Sequence, residues 1–232
     1  MAQPPDISET FVREVEENLR RDQLRDFSKK YGGWIAAFVI LFLAASGGWI
    51  YWQQLQQKRS EQQVEQLAEV YKSIASNNLN GVPEKLDELA KNGKKAVRAS
   101  ALFTRAAIAL DRNDPNLAIA KFREAAGDSS LPRPYRDIAL IRQTTLEFDQ
   151  LQPQDVIARM EPLAKPGNPW FGSAGELTAV ALLKQGKKDE AGRLYGAIAK
   201  DPSVPDQIRA RAVQVASSLG VDASNALPAP AQ

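Results

Sequence analysis

From Gly32 to Trp52 the chain runs 21 residues without a charged side chain. As a helix this segment extends roughly 31 Å, which matches a bilayer hydrocarbon core of about 30 Å and leaves room for one crossing only. Its ends carry three of the four tryptophans: Tyr31 and Trp34 at one, Trp49, Tyr51 and Trp52 at the other. Amphipathic rings settle at the two headgroup layers, so both ends of the predicted transmembrane helix, 32–52, are marked. The small-residue run Ala44-Ala45-Ser46 also fits a signal peptidase, and a cleaved signal peptide is the alternative. Against it, a partly acidic segment of 31 residues comes first, and the apolar run continues past the cleavage position through Trp49 and Ile50.

The flanking cations set the expected orientation. Arg13, Arg20, Arg21, Arg25, Lys29 and Lys30 precede the span, whereas only Lys58, Arg59 and Lys72 follow within twenty residues. Lys and Arg resist translocation and carboxylates count for little, which places the N-terminal tail, 1–31, in the cytoplasm. In a bacterium the span would lie in the inner membrane and everything after Trp52 in the periplasm. Within the tail, Val12, Val15 and Leu19 follow the potential cap Ser8 at spacings of 3 and 4, so a short amphipathic helix competes with a flexible topology-setting tail.

The 180 residues from Gln53 onward suffice for one domain with a real core. They carry 24 Lys and Arg against 21 Asp and Glu, interspersed, which argues against a nucleic-acid-binding face. The chain has no Cys and no His, so disulfides, the usual nucleophile, the commonest general base and the usual transition-metal ligands are excluded together. No phosphate-cradling glycine loop or nucleophile elbow occurs. Acidic pairs such as Asp189 with Glu190 sit at a helix start, where they complement the helix dipole. The expectation is a protein without catalytic, cofactor or metal site, partnered by other proteins and not by nucleic acid or a small-molecule substrate. An enzyme working through carboxylates alone is the remaining alternative.

After the span, turn signals recur at Asn80-Gly81, Asn92-Gly93, Asp114-Pro115, Pro132, Pro153, Pro166 to Pro169, Gly186, Asp201-Pro202 and Gly220. First helices of successive pairs begin near 59, 94, 132 and 169, a spacing of roughly 35 to 38 residues, in the range of helical-hairpin repeats. Ala106 is followed by Ala118, Phe122 and Ala125; Ala179 is followed by Ala191, Tyr195 and Ile198. This is a degenerate tetratricopeptide pattern, in which alanines let the two helices cross closely and the aromatics fill the gap to the next hairpin. The predicted fold is all-α: a single transmembrane helix, then an α-solenoid of about four tetratricopeptide-like hairpins over 64–220, closed by a helix from Pro205 to Leu219. A helical bundle with coincidental spacing is the alternative. Residues 53–63, polar except Leu55, read as a helical linker holding the domain about 16 Å from the membrane. Val64, Leu67, Tyr71 and Ile74 form the first apolar seam, and 221–232 read as a disordered tail.

This layout resembles the YfgM-like ancillary subunits of the bacterial SecYEG translocon. The shared features are a short charged tail, one span leaving the membrane as Gly48-Trp49-Ile50-Tyr51-Trp52, a polar helix and a repeat domain. The resemblance implies a non-enzymatic inner-membrane protein with a periplasmic domain, associated with the SecYEG translocon and a membrane-anchored prolyl isomerase chaperone, assisting proteins as they emerge. An adaptor in another cell-envelope assembly complex is the alternative.

Two sets of residues are candidates for partner contact. In the span, Gly33, Ala37, Ala44 and Gly48 lie along one helical stripe suited to close packing with a partner helix, although small residues are also simply common in membrane helices. On the inner surface of the stack the candidates are Phe103, Ala107 and Leu110, then Arg136 and Arg142, then Glu176, Val180 and Leu183; any of them competes with a core role. Trp170 and Phe171 are candidate exposed aromatics, or else a helix-start staple.

Overall fold

A computed structural model describes the backbone of residues 7–223 and the side chains of 29–223 apart from 32, 35 and 39. Among the described residues there are nine α-helices and no strand. The chain divides into two units, 1–59 and 60–232.

From Ile7 onward the first unit is part of the helix α1 (Ile7–Ala75). Its backbone is helical from Ile7 as part of this one long helix, with Ser8 inside it and not capping a short one, and the side chains of Val12, Val15 and Leu19 lie outside those described. Within α1 lies a segment long and apolar enough to cross a membrane. Trp34, Phe38, Ile40, Leu41, Phe42, Leu43, Trp49 and Tyr51 are all exposed among the described residues. Gly33, Ala37, Ala44 and Gly48 are exposed as well, and a Cβ at Gly33 or Gly48 would meet no atom within 4 Å.

The second unit is an all-helical stack. The end of α1 shares a core with α2 (Val82–Asn92) through Leu67, Val70, Leu86 and Leu89, α3 (Lys95–Asp111) packs with α4 (Pro115–Gly127) and α7 (Phe171–Lys184) with α8 (Lys188–Lys200), while α5 (Arg133–Glu147) is followed in the chain by α6 (Pro153–Met160). A final helix, α9 (Asp206–Ser218), packs on α8. Three first helices begin at Lys95, Arg133 and Phe171, close to the expected 94, 132 and 169, but none begins near 59, where α1 runs on unbroken from Ile7 to Ala75. The alanines at the crossings, Ala106 with Ala118 and Ala179 with Ala191, are all fully buried, as close backbone approach demands.

Three first helices, α1, α3 and α7, and the final helix α9 stop by the same device. At Asn77, Asn113, Gly186 and Gly220 the backbone enters the left-handed region, with φ of 56°, 57°, 77° and 83°. After Gly186 the Lys187 N–H donates to the Leu182 carbonyl and the Gly186 N–H to the Leu183 carbonyl, at 3.0 and 2.9 Å. The same two bonds recur at Asn113–Asp114, Asn77–Asn78 and Gly220–Val221. These are Schellman closures, and Gly and Asn are the residues that tolerate their positive φ. The links from α4 to α5 and from α8 to α9 are also built alike. In each, an aspartate (Asp128, Asp201) accepts from the backbone N–H and hydroxyl of a serine two residues on, at 2.9 and 2.6 Å. Those bonds, the serine hydroxyl's first, hold both carboxyls below the usual aspartate value. A buried Leu131 or Val204 follows, and then Pro132 or Pro205 caps the next helix.

The pair α5/α6 departs from this pattern. α5 ends without a left-handed residue, α6 is only 8 residues long, and the two helices touch sparsely while α6 packs on α7. A small apolar core of Ile141, Val156, Met160, Leu163, Ala174 and Ala181 fills the joint. Beside it, buried Glu147 takes hydrogen bonds from three directions: Arg123 of α4 at 2.6 Å, Arg159 of α6 at 2.6 Å and Gln143 of α5 at 3.0 Å. Burial pushes its carboxyl up, but the bonds from Arg159, Arg123 and Gln143 outweigh it and hold the group below the ordinary glutamate value.

Several expected boundaries move. The first seam of the domain is Leu67, Val70 and Ile74; Val64 and Tyr71 lie off it, 56% and 44% exposed, because α1 is turned to present Val70 to the core. Gln63, placed in the linker, belongs to the domain: its side chain accepts from the Lys94 N–H and donates to the Asn92 carbonyl. Val221 and Ala223, read as the start of the tail, pack into the last core, because Gly192 and Gly196 leave space for Val221 beside α8. The remainder of that tail, 224–232, lies outside the described residues.

Candidate functional site

Two neighbouring grooves open on one side of the stack, floored by the odd-numbered helices. In α3, residues 103, 107 and 110 recur at helical spacing on one face; in α5 the corresponding set is 138, 142 and 145. The first groove lies between them, with Phe122 of α4 and Leu146 completing its walls and a volume of about 390 Å³. An aromatic cluster shapes its floor: the Phe103 ring lies 5.9 Å from that of Phe122 and 6.3 Å from that of Tyr135, both tilted near 50°. Offset, tilted ring pairs at these distances are favourable beyond the area they bury, so the floor is preformed. Ala107 and Leu110 are exposed within it, as is Arg142.

The second groove, about 440 Å³, is lined from α7 by Glu176, Leu177 and Val180, from α9 by Arg211 and Val215, and by Phe148, Asp149 and Tyr195. Thr145 lines both grooves, which therefore adjoin. Charges in the second groove are matched internally. The Arg211 guanidinium makes two parallel bonds to the Glu176 carboxylate, each 2.6 Å, and these raise the arginine's already high pKa. Lys184 sits 2.8 Å from Asp149 and 4.6 Å from the centre of the Phe148 ring. Burial pushes the Tyr195 phenol up, with Glu176 adding to the shift, so it stays protonated at neutral pH.

The arrangement suits the reception of apolar side chains along an extended segment. The shifted carboxyl, phenol and guanidinium groups of the domain, of which only Tyr195 and Arg211 line a groove, are accounted for by burial, ion pairs and turn hydrogen bonds. Among the described residues no group of three or more His, Cys, Asp and Glu is placed to hold a metal ion.

Of the inner-surface residues expected from sequence, Phe103, Ala107, Leu110 and Arg142 line the first groove, and Glu176 and Val180 the second. The other two inner-surface candidates and the two candidate exposed aromatics do not. Leu183 packs against the last core, and half-buried Arg136 lines neither groove. Phe171, expected as an exposed aromatic, is 1% exposed and belongs to the core, while Trp170 packs against the core at the α5/α6 joint. At the helix start the Trp170 N–H donates to the Asn168 side chain. Sequence reading missed Ile138, Thr145 and Leu146 of α5 and Arg211 and Val215 of α9. The i, i+4, i+7 spacing that selected 103, 107 and 110, applied to α5 from Ile138 instead of Arg136, would have found the first two.

Comparison with known proteins agrees with this architecture. The sequence model of a tetratricopeptide repeat-like domain matches residues 25–215, which includes the apolar helix as well as the stack. No curated protein and no solved structure matches the chain. With most of its length matched, and with paired helices crossing at buried alanines, the chain belongs to the tetratricopeptide repeat-like domain family.

Proposed function

We propose that this chain is a membrane-anchored scaffold, without catalytic activity of its own, whose repeat domain holds segments of other proteins. In this reading residues 32–52 cross the inner membrane of a bacterium, with the N-terminal tail in the cytoplasm and the repeat domain in the periplasm. There it stands beside the SecYEG translocon with a membrane-anchored prolyl isomerase chaperone and assists proteins leaving the channel. The observation that carries the reading is the pair of adjoining grooves on one side of a stack whose fold typically serves protein interaction. Further support comes from the exposed apolar helix with aromatic rings near both ends, the pattern of a lipid-facing span. The exposed stripe Gly33, Ala37, Ala44 and Gly48 is assigned to a partner helix in the membrane.

Photo-crosslinking from position 107 in intact cells, followed by identification of the adducts, tests the proposal. Enrichment of channel subunits, the isomerase and exported chains is the expected result. Enrichment of other envelope-assembly proteins would reassign the scaffold to that machinery, and extraction of the full-length chain by alkaline washing would remove the membrane anchor from the account. Ala37→Leu combined with Ala44→Leu is expected to lower co-purification of the channel while leaving the chain in the membrane.

A further inference from the structure

The proposed scaffold role leaves open what a bound segment must look like, and the charges along the two grooves differ in a way that bears on it. In the second groove Glu176 is matched by Arg211 and Asp149 by Lys184. Glu147, close in sequence to the first groove, is held by Arg123 and Arg159. Arg142 is different: it is exposed, lines the first groove among Phe103, Leu110, Ile138 and Leu146, and has no ion-pair or hydrogen-bond partner among the described residues. A cation on an apolar wall, facing a cavity of about 390 Å³ that accepts only a few side chains, leaves one charge to be matched from outside.

We infer that the first groove selects an extended peptide segment carrying a bulky apolar side chain with a carboxylate next to it on the same side of the strand. The apolar side chain enters between Phe103, Leu110 and Leu146, and the carboxylate meets the Arg142 guanidinium. In an extended chain residues two positions apart share a side, which brings both groups to the groove together. Guanidinium and carboxylate make charge-assisted bonds, so the pair discriminates acidic from neutral and basic segments. The inference rests on the scaffold reading of the same groove.

The test uses the full chain in phosphatidylcholine nanodiscs, with empty discs as reference, and short fluorescein-labelled Gly/Ser peptides bearing one Phe and, two positions away, Glu, Gln or Lys. Fluorescence anisotropy at low salt is expected to give about 1.4- to 5-fold tighter binding of the Glu peptide than of the Gln peptide, the range of an exposed ion pair. Arg142→Glu should reverse the order in favour of the Lys peptide, Lys187→Glu, outside both grooves, should leave it unchanged, and Leu110→Lys should abolish binding of all three. Should Arg142→Glu lose its helical circular dichroism, Arg142→Gln replaces it, with loss of the Glu preference expected. Leu110-dependent binding with equal affinity for the three peptides overturns the charge selection and leaves the scaffold reading standing. Absence of any binding to the wild-type chain overturns both.

Discussion

The second and third hairpins of the stack are neighbours built on different physics. In α3/α4 the helices meet at alanines with no exposed surface, Asn113 closes the first helix in a left-handed turn, and the Asp114 side chain accepts from the Leu117 N–H to start the second. In α5/α6 there is no such closure and little helix-to-helix contact, and a buried carboxylate holds arginines from the helices on either side. Close packing of small residues fixes the distance between two backbones directly. A charge cluster fixes it only while the charge is present, which makes the third hairpin the part of the stack whose hold depends on pH and salt. Both grooves border α5, so the contrast reaches the candidate site.

The contrast predicts a ladder of effects. The largest is expected in the packed hairpin: Leu102, fully buried in α3, replaced by Ala should cost about 3 kcal/mol in chemical denaturation of the full chain. Glu147→Gln should cost less, about 1–2 kcal/mol, because Arg123 can turn to solvent once the carboxylate is gone. Its pH dependence separates the two kinds of hold. Glu147 is held below its ordinary 4.5, so the folded chain binds fewer protons there than the unfolded one. The contribution is therefore complete above that value and lost as pH falls through the folded pKa, and the stability gap between wild type and Glu147→Gln should close on acidification while the Leu102→Ala gap persists. If both gaps respond to pH alike, the distinction between the hairpins fails.

Smaller still is the turn. Asn113→Ala should cost about 1 kcal/mol at φ 57°, whereas Asn113→Gly should change stability by less than about 0.5 kcal/mol. Least affected should be the fold of Leu110→Lys, since Leu110 is 41% exposed and surface changes stay within about 0.5 kcal/mol. Its thermal melt should overlay that of wild type, even as crosslinks from the first groove disappear.

The regular hairpins were legible in the sequence because their ends are punctuated: Asn, Gly and Pro occupy positions that positive φ or a missing N–H demands. The alanine crossings were legible for a similar reason, since only a small side chain fits where backbones meet. The irregular third hairpin was not. Glu147 is one of many glutamates in the chain, and nothing in its local spacing announces that Arg123 and Arg159 converge on it from two other helices. The same limit explains the groove residues. Those on α3 follow from one helix's periodicity, but choosing between Arg136 and Ile138 on α5 requires knowing how that helix is rotated against its neighbours. Phe171 illustrates the reverse error, an aromatic after a Pro/Gly turn that a core claimed.

The central claim is that the grooved side of the stack, and not its surface at large, receives other proteins. The chain lacks cysteine, so one introduced at exposed Ala107 in the first groove, or at exposed Ala120 of α4 outside both grooves, is the only thiol present. Maleimide labelling in native membranes should find position 107 protected and position 120 reactive, with the difference disappearing once the chain is purified away from its partners. Equal labelling of the two positions in native membranes would contradict the claim.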